Sequence, residues 1–155
     1  MSGGNAPHIT NYEPPGLTLP VYELDHAVFS CEQAAAAKQI PLEYELTTMV
    51  LETTAGIHAV HVPGNERVCL RAVKRALRCD QAYLASPDFL RMLGLASGIV
   101  CPVLDPVWSF PHLLSATVLG LEFVSTNNGT LSNFFRFPPQ LLLGAREVMV
   151  GRFES

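Results

Sequence analysis

The apolar run from Leu93 to Leu104 is cut by Gly98 and Pro102, and two breakers that close keep any helix or strand from crossing the segment. Gly98 can take a positive φ and lets another chain or a ligand approach the backbone. Pro102 fixes its own φ and biases Cys101 away from the helical region. The spacing predicts a tight loop, Gly98-Ile99-Val100-Cys101-Pro102, walled by apolar side chains. Such a loop is either an ordinary turn between a helix and a strand, or a device that turns several backbone N–H groups toward one point to hold an oxyanion or carbonyl oxygen.

The chain has 155 residues, 48% of them hydrophobic, enough for one domain over 18–155. Residues 1–17 carry Gly3, Gly4, Pro7, Pro14, Pro15 and Gly16 with no hydrophobic period, and are expected to form a flexible N-terminal arm. No apolar run approaches the roughly 18 residues that span a bilayer, and Met1 to Asn5 lack the features of a signal peptide. The expectation is a cytoplasmic protein without a membrane partner. The four cysteines, at 31, 69, 79 and 101, form no CxxC pair or zinc-ligand cluster, so neither a disulfide framework nor a metal is expected. A net charge of −4 argues against a dedicated, high-affinity nucleic-acid binder while leaving room for a local basic face, and no DNA partner is expected.

Local signals place the elements. Leu19 to Asp25 reads as a strand; Ser30 and Gln33 make a capping box ahead of Ala34 to Lys38, and Ile40-Pro41 ends that helix. Tyr44 to Thr53 and Ile57 to Val62 read as a hairpin across Thr54-Ala55-Gly56. Ala82 to Leu84 is strand-like, and Ser86-Pro87-Asp88 starts a short helix ending near Gly94. Val103 to Ser109 is expected as extended chain and Leu113 to Leu119 as a helical turn. Leu121 to Ser125 and Leu131 to Phe137 read as strands joined by a turn at Thr126 to Gly129, followed by a short helix at Pro138 to Leu143 and a strand at Glu147 to Phe153. Irregular mixing of strands and helices, with hairpins outnumbering βαβ units, gives an α+β class around a mixed, mainly antiparallel sheet flanked by helices.

Charge is organised at one place. Arg67, Arg71, Lys74, Arg75 and Arg78 recur at spacings of three and four on one helix face and hold half of the chain's ten Lys and Arg, while Cys69, Leu70, Val73, Ala76 and Leu77 take the other. This stripe is either a solvated face or a contact for phosphates. The five histidines show no metal-binding spacing, and His58 and His61, three apart on a strand, face opposite ways. No GxSxG elbow, P-loop or dinucleotide turn occurs, and no cofactor is expected. Cys101 could be a nucleophile, but has no neighbouring histidine, and buried packing is the favoured reading.

Six segments in order resemble the YbaK family, the free-standing relatives of the editing domain inserted in bacterial prolyl-tRNA synthetases. They are Val21 to His26 with the Glu32 to Ala37 helix, Thr47 to Leu51, Ala59 to Gly64, Leu84 to Pro87, Gly98 to Pro102, and Val124 to Gly129. The similarity covers about residues 18–153. It implies a mixed sheet flanked by helices, and a catalytic site at the Gly98 to Pro102 loop where the aminoacyl ester of a mischarged tRNA is hydrolysed. Two departures stand out. Thr47 occupies the position of the family's usual lysine, which removes a charge-assisted contact worth roughly 1.5–3 kcal/mol. A histidine that some relatives carry near Asn128 to Asn133 is also missing, leaving Ser125, Thr126, Asn127, Asn128, Thr130, Ser132 and Asn133 as neutral hydrogen-bonding candidates.

Two functions follow from the resemblance. One is a trans-acting aminoacyl-tRNA deacylase in which the amides near Gly98 to Cys101 polarise the ester, Thr47, Thr48 and Met49 help set the pocket, and the basic stripe meets the tRNA. The other is a non-catalytic binder of tRNA ends, aminoacyl derivatives or a synthetase. The sequence leaves open the amino acid, the tRNA and the choice between monomer and homodimer.

Overall fold

Short strands, several of them separated by turns with strong local signals, build two sheets in the computed structural model, which describes residues 8–12 and 17–155. The first sheet is antiparallel with order β1 (His8–Tyr12), β2 (Leu17–Glu23), β8 (Asn133–Phe137), β7 (Val124–Asn127). The second is mixed, with order β5 (Ala82–Leu84), β3 (Leu46–Thr53), β4 (Gly56–Pro63), β6 (His112–Ser115), β9 (Val148–Gly151). β5, β3 and β4 run antiparallel, whereas β6 is parallel to both β4 and β9. An isolated bridge between Glu45 and Ser125 ties the entry of β3 to β7, so the two sheets meet there.

The α+β class expected from the sequence is the class observed, with the strands divided between two sheets. Helix α1 (Cys31–Lys38) starts where expected: Ser30 Oγ accepts from the Gln33 amide at 3.0 Å, and Gln33 Oε1 accepts from the Phe29 amide at 2.9 Å. It stops at Gln39, whose φ of 57° is left-handed. Helix α3 (Pro87–Met92) is capped by Ser86 Oγ, which accepts from the Phe89 amide at 3.1 Å. Helix α2 (Leu70–Leu77) is shorter than the periodicity suggests and carries no side-chain N-cap.

Several expectations fail. Parts of the anticipated arm 1–17 are strand: His8–Tyr12 is the edge strand β1 paired with β2, and Leu17 begins β2; residues 1–7 and 13–16 lie outside the described residues. Val103 to Ser109 is not extended: it runs through turns into a 3-10 helix at Val107–Ser109. Leu113 to Ser115 belongs to β6 rather than to a helical turn, and only Ala116–Leu119, α4, is helical. Complete burial of His112, Leu113, Leu114 and Ser115 between two parallel neighbours outweighs any local preference, because such a strand needs no polar alternation.

The five-stranded sheet is covered on both faces. Leu51, Val60, Val62 and Leu113 pack against Val73 of α2, while Val50 and Ala59 pack against Leu90 of α3 and Val100. Val50 and Leu51 are consecutive on β3 and so point to opposite faces. Helix α2 and the Gly98 loop therefore lie on opposite sides of this sheet. Among the described residues, no helix is long and apolar enough to cross a membrane.

Candidate active site

A cavity of about 460 Å³ opens between α1, the first half of β3, the Gly98 loop and the segment from β7 to β8. Its rim carries Phe29, Met49, Leu84 and Leu131, all large, apolar and exposed, Phe29 to 72%. Deeper in, apolar residues such as Leu46, Val50 and Leu90 mix with hydrogen-bonding side chains.

Of the loop, Gly98, Ile99 and Val100 line the cavity. Gly98 has φ +84°, which explains the glycine; a Cβ there would meet no atom within 4 Å, so the residue is needed for its backbone conformation and not to admit a close neighbour. The Ile99 amide donates to the Ala96 carbonyl at 3.3 Å, while those of Gly98 and Val100 make no hydrogen bond among the described residues. Cys101 and Pro102 are buried outside the lining. Burial pushes the Cys101 thiol up to about 12, and the side chain sits in the core with Val103, Leu114 and Phe135, so it is no nucleophile.

Thr47, Thr48 and Met49 line the cavity through β3, and Thr126, Asn127, Thr130, Ser132 and Asn133 line it from the other side. Thr126 Oγ1 is buried with no hydrogen-bond partner among the described residues. Asn127 donates to the Val100 carbonyl at 3.2 Å and so braces the loop. Ser125 and Asn128, expected at the site, stand outside the lining: Ser125 is fully buried, and Asn128 Oδ1 accepts from Thr130 at 2.6 Å within the turn. The basic stripe is exposed at Arg67, Arg71, Arg75 and Arg78 but contributes nothing to the cavity, consistent with its place on the far sheet face.

Two groups missed by sequence reasoning reach the cavity. Lys38, on the last turn of α1, donates to both carboxylate oxygens of Glu45 at 3.0 Å and to Ser125 Oγ at 2.8 Å, with its ammonium 4.1 Å from the centre of the Phe134 ring. Burial lowers the Lys38 pKa and raises that of Glu45, and the attraction between the two opposes both shifts. The second group starts at Thr48, whose Oγ1 lies 2.9 Å from His61 Nδ1. His61 Nε2 is 2.7 Å from His112 Nδ1, and His112 Nε2 is 3.0 Å from the Trp108 carbonyl. Burial lowers the pKa of both imidazoles, most strongly that of His61, where the second ring adds repulsion. Thr47 hydrogen-bonds Cys31 Sγ at 3.5 Å, and burial raises the pKa of that thiol.

The α+β scaffold holds a cavity between helix, strand and glycine loop, lined by apolar side chains, neutral hydrogen-bonding groups and the Lys38–Glu45 pair. The chain belongs to the aminoacyl-tRNA editing domain family, whose model matches residues 25–143. A crystal structure described as a candidate trans-editing enzyme for prolyl tRNA synthetase is similar at 27% identity and a TM-score of 0.80, covering 88% of this chain and 87% of that one. A hypothetical protein shares the fold at 22% identity and a TM-score of 0.80, over 90% of this chain and 93% of that one. A scaffold protein used for epitope grafting is similar at 25% identity and a TM-score of 0.79, over 88% and 86%. No curated protein matches the sequence.

Proposed function

We propose that this protein is a trans-acting deacylase that hydrolyses the ester of mischarged tRNA in the cytoplasm. The observation that carries the reading is the wall of the cavity, formed in part by Gly98 and Val100, whose amides make no hydrogen bond among the described residues, and by Thr126, whose buried hydroxyl has no partner among them. An ester carbonyl seated against the amides is polarised, and the oxyanion formed when water attacks gains from dipoles already fixed in place. A ribose hydroxyl of the tRNA can assist the water. The apolar rim, with Phe29 foremost, offers a stacking surface for the terminal base. Thr47, Met49 and Ile99 limit the room left for the amino-acid side chain. The exposed arginines of α2 would contact the tRNA only if it reached round the sheet edge, which makes their role separable from that of the cavity.

A second reading, a non-catalytic binder of tRNA ends, aminoacyl derivatives or a synthetase, is favoured by one observation. The Thr47 hydroxyl faces Cys31, and the cation nearest the cavity, Lys38, is held by Glu45, so neither supplies a free charge to the ester. Wild-type and Thr47→Lys proteins assayed against Ala-, Ser-, Thr- and Cys-charged tRNAs separate the two. Hydrolysis by the wild type supports the deacylase; hydrolysis by the variant alone supports the binder; failure of both to hydrolyse or bind tRNA rejects both.

A further inference from the structure

The chain from Thr48 to the Trp108 carbonyl can be ordered in only one way while both imidazoles are neutral. A carbonyl oxygen only accepts, so His112 Nε2 carries the proton that reaches Trp108 at 3.0 Å. His112 Nδ1 is then bare and must accept, which puts the proton of His61 on Nε2, at 2.7 Å. His61 Nδ1 is left bare and takes the hydroxyl proton of Thr48 at 2.9 Å. His61 and His112 are 0% and 1% exposed, so neither ring can exchange its partner for water. The order of donors and acceptors is thus set at the buried end and transmitted outward to a residue that lines the cavity.

We infer that this chain fixes Thr48 Oγ1 as a hydrogen-bond acceptor within the cavity, and that Thr48 selects ligands by their free α-ammonium group. An unconstrained threonine hydroxyl serves a donor or an acceptor equally well; one whose proton is committed to His61 can only receive. In an aminoacyl ester, the α-ammonium supplies strong donors one atom away from the carbonyl, whereas the carbonyl itself is an acceptor and is turned away. The same constraint orients the substrate, because the ammonium at Thr48 leaves the carbonyl for other donors. Thr48 is a specificity residue and the two histidines are positioning residues acting through it. The inference rests on the deacylase reading for the identity of the ligand, but not for the order of the chain.

The test uses two hydrolysis-resistant probes, 3′-(L-alanylamino)-3′-deoxyadenosine and its propionyl counterpart, which lacks only the α-ammonium. Their binding to the wild type, Thr48→Val and Thr48→Ser is measured by calorimetry, and nitrogen-15 NMR at pH 7 reads the histidine tautomers. The expected result is a preference of about tenfold or more for the alanyl probe in the wild type. Thr48→Ser keeps it, Thr48→Val brings the two probes within a few-fold, and both histidines show protonated Nε2 and bare Nδ1. A preference that survives in Thr48→Val, or a protonated Nδ1 on His61, overturns the inference and leaves the deacylase reading standing. Failure of the wild type to bind either probe rejects the deacylase reading, and the ligand assignment falls with it.

Discussion

The two buried polar groups beside the cavity solve the same problem in opposite ways. Lys38, Glu45 and Ser125 bury a charge and its counter-charge, each close to 5% exposed or less, and depend on the pair staying intact. Thr48, His61 and His112 bury no charge and depend on the imidazoles staying neutral. The first group locks α1, β3 and β7 together at the seam between the sheets. The second crosses β3, β4 and β6 within one sheet. An ionic group tolerates no loss of a partner, because the survivor is left charged in a poor solvent, whereas a neutral chain loses only hydrogen bonds when one member goes.

The sharpest way to break this contrast is Lys38→Met, which strands Glu45 and should cost about 3–5 kcal/mol in urea unfolding. Lys38→Met with Glu45→Leu should restore much of it, since removing both charges also removes both desolvation costs. A double variant as unstable as the single one would show that the pair is not the cause. On the neutral side, His112→Phe leaves His61 Nε2–H without its acceptor and should cost about 1–3 kcal/mol, less than Lys38→Met.

Acid should distinguish the groups as well. The folded-state pKa of His61 and of His112 lies below the ordinary 6.5, so the unfolded chain takes up protons first as pH falls. Their contribution is fully present above about pH 6.5 and is lost as pH falls from there through the folded values. Urea midpoints measured from pH 7.5 to 5 should therefore decline for the wild type and decline less steeply for His112→Phe. Equal slopes in the two proteins would mean that the histidines are already charged in the fold.

Sequence reading reached the elements whose signals are local and missed those assembled from a distance. The Ser30 and Ser86 caps and the hairpin across Thr54-Ala55-Gly56 were legible because a few adjacent residues determine them. Strand β6 was not, since its four residues are all buried and owe their pairing to β4 and β9. Near the cavity, Gly98 was singled out by its loop signal, whereas Thr47, Thr48 and Met49 were singled out only through the family resemblance; the structure places all four along the cavity. Lys38 was read only as part of a helix, because its partner Ser125 lies 87 positions away, and His61 meets His112 across 51. The lone signal within reach was Lys38 itself, a basic residue at the end of an alanine-rich helix seven positions before Glu45.

A smaller effect concerns the loop and the stripe. Gly98→Ala forces an L side chain to φ +84° and should cost about 1–2 kcal/mol through strain alone, with no clash to relieve. Replacing Arg71, Lys74 and Arg75 by Gln should leave stability within about 0.5 kcal/mol, since Arg71 and Arg75 are exposed and Lys74 is only half-buried. If this face meets tRNA, the triple variant should bind it more weakly for all sequences and with a flatter salt dependence; an unchanged slope returns the stripe to solvent.

The central claim, that the cavity between α1, β3 and the Gly98 loop hydrolyses an aminoacyl ester, is tested most directly by single-turnover decay of Ala-, Ser-, Thr- and Cys-charged tRNA in the presence of the wild type and of Thr126→Val. The account predicts that at least one of the four is cleared by the wild type well above its uncatalysed rate, and that loss of the unpartnered Thr126 hydroxyl slows this clearance while the unfolding midpoint hardly moves. Decay of all four at the uncatalysed rate, or clearance equally fast with Thr126→Val, would contradict it.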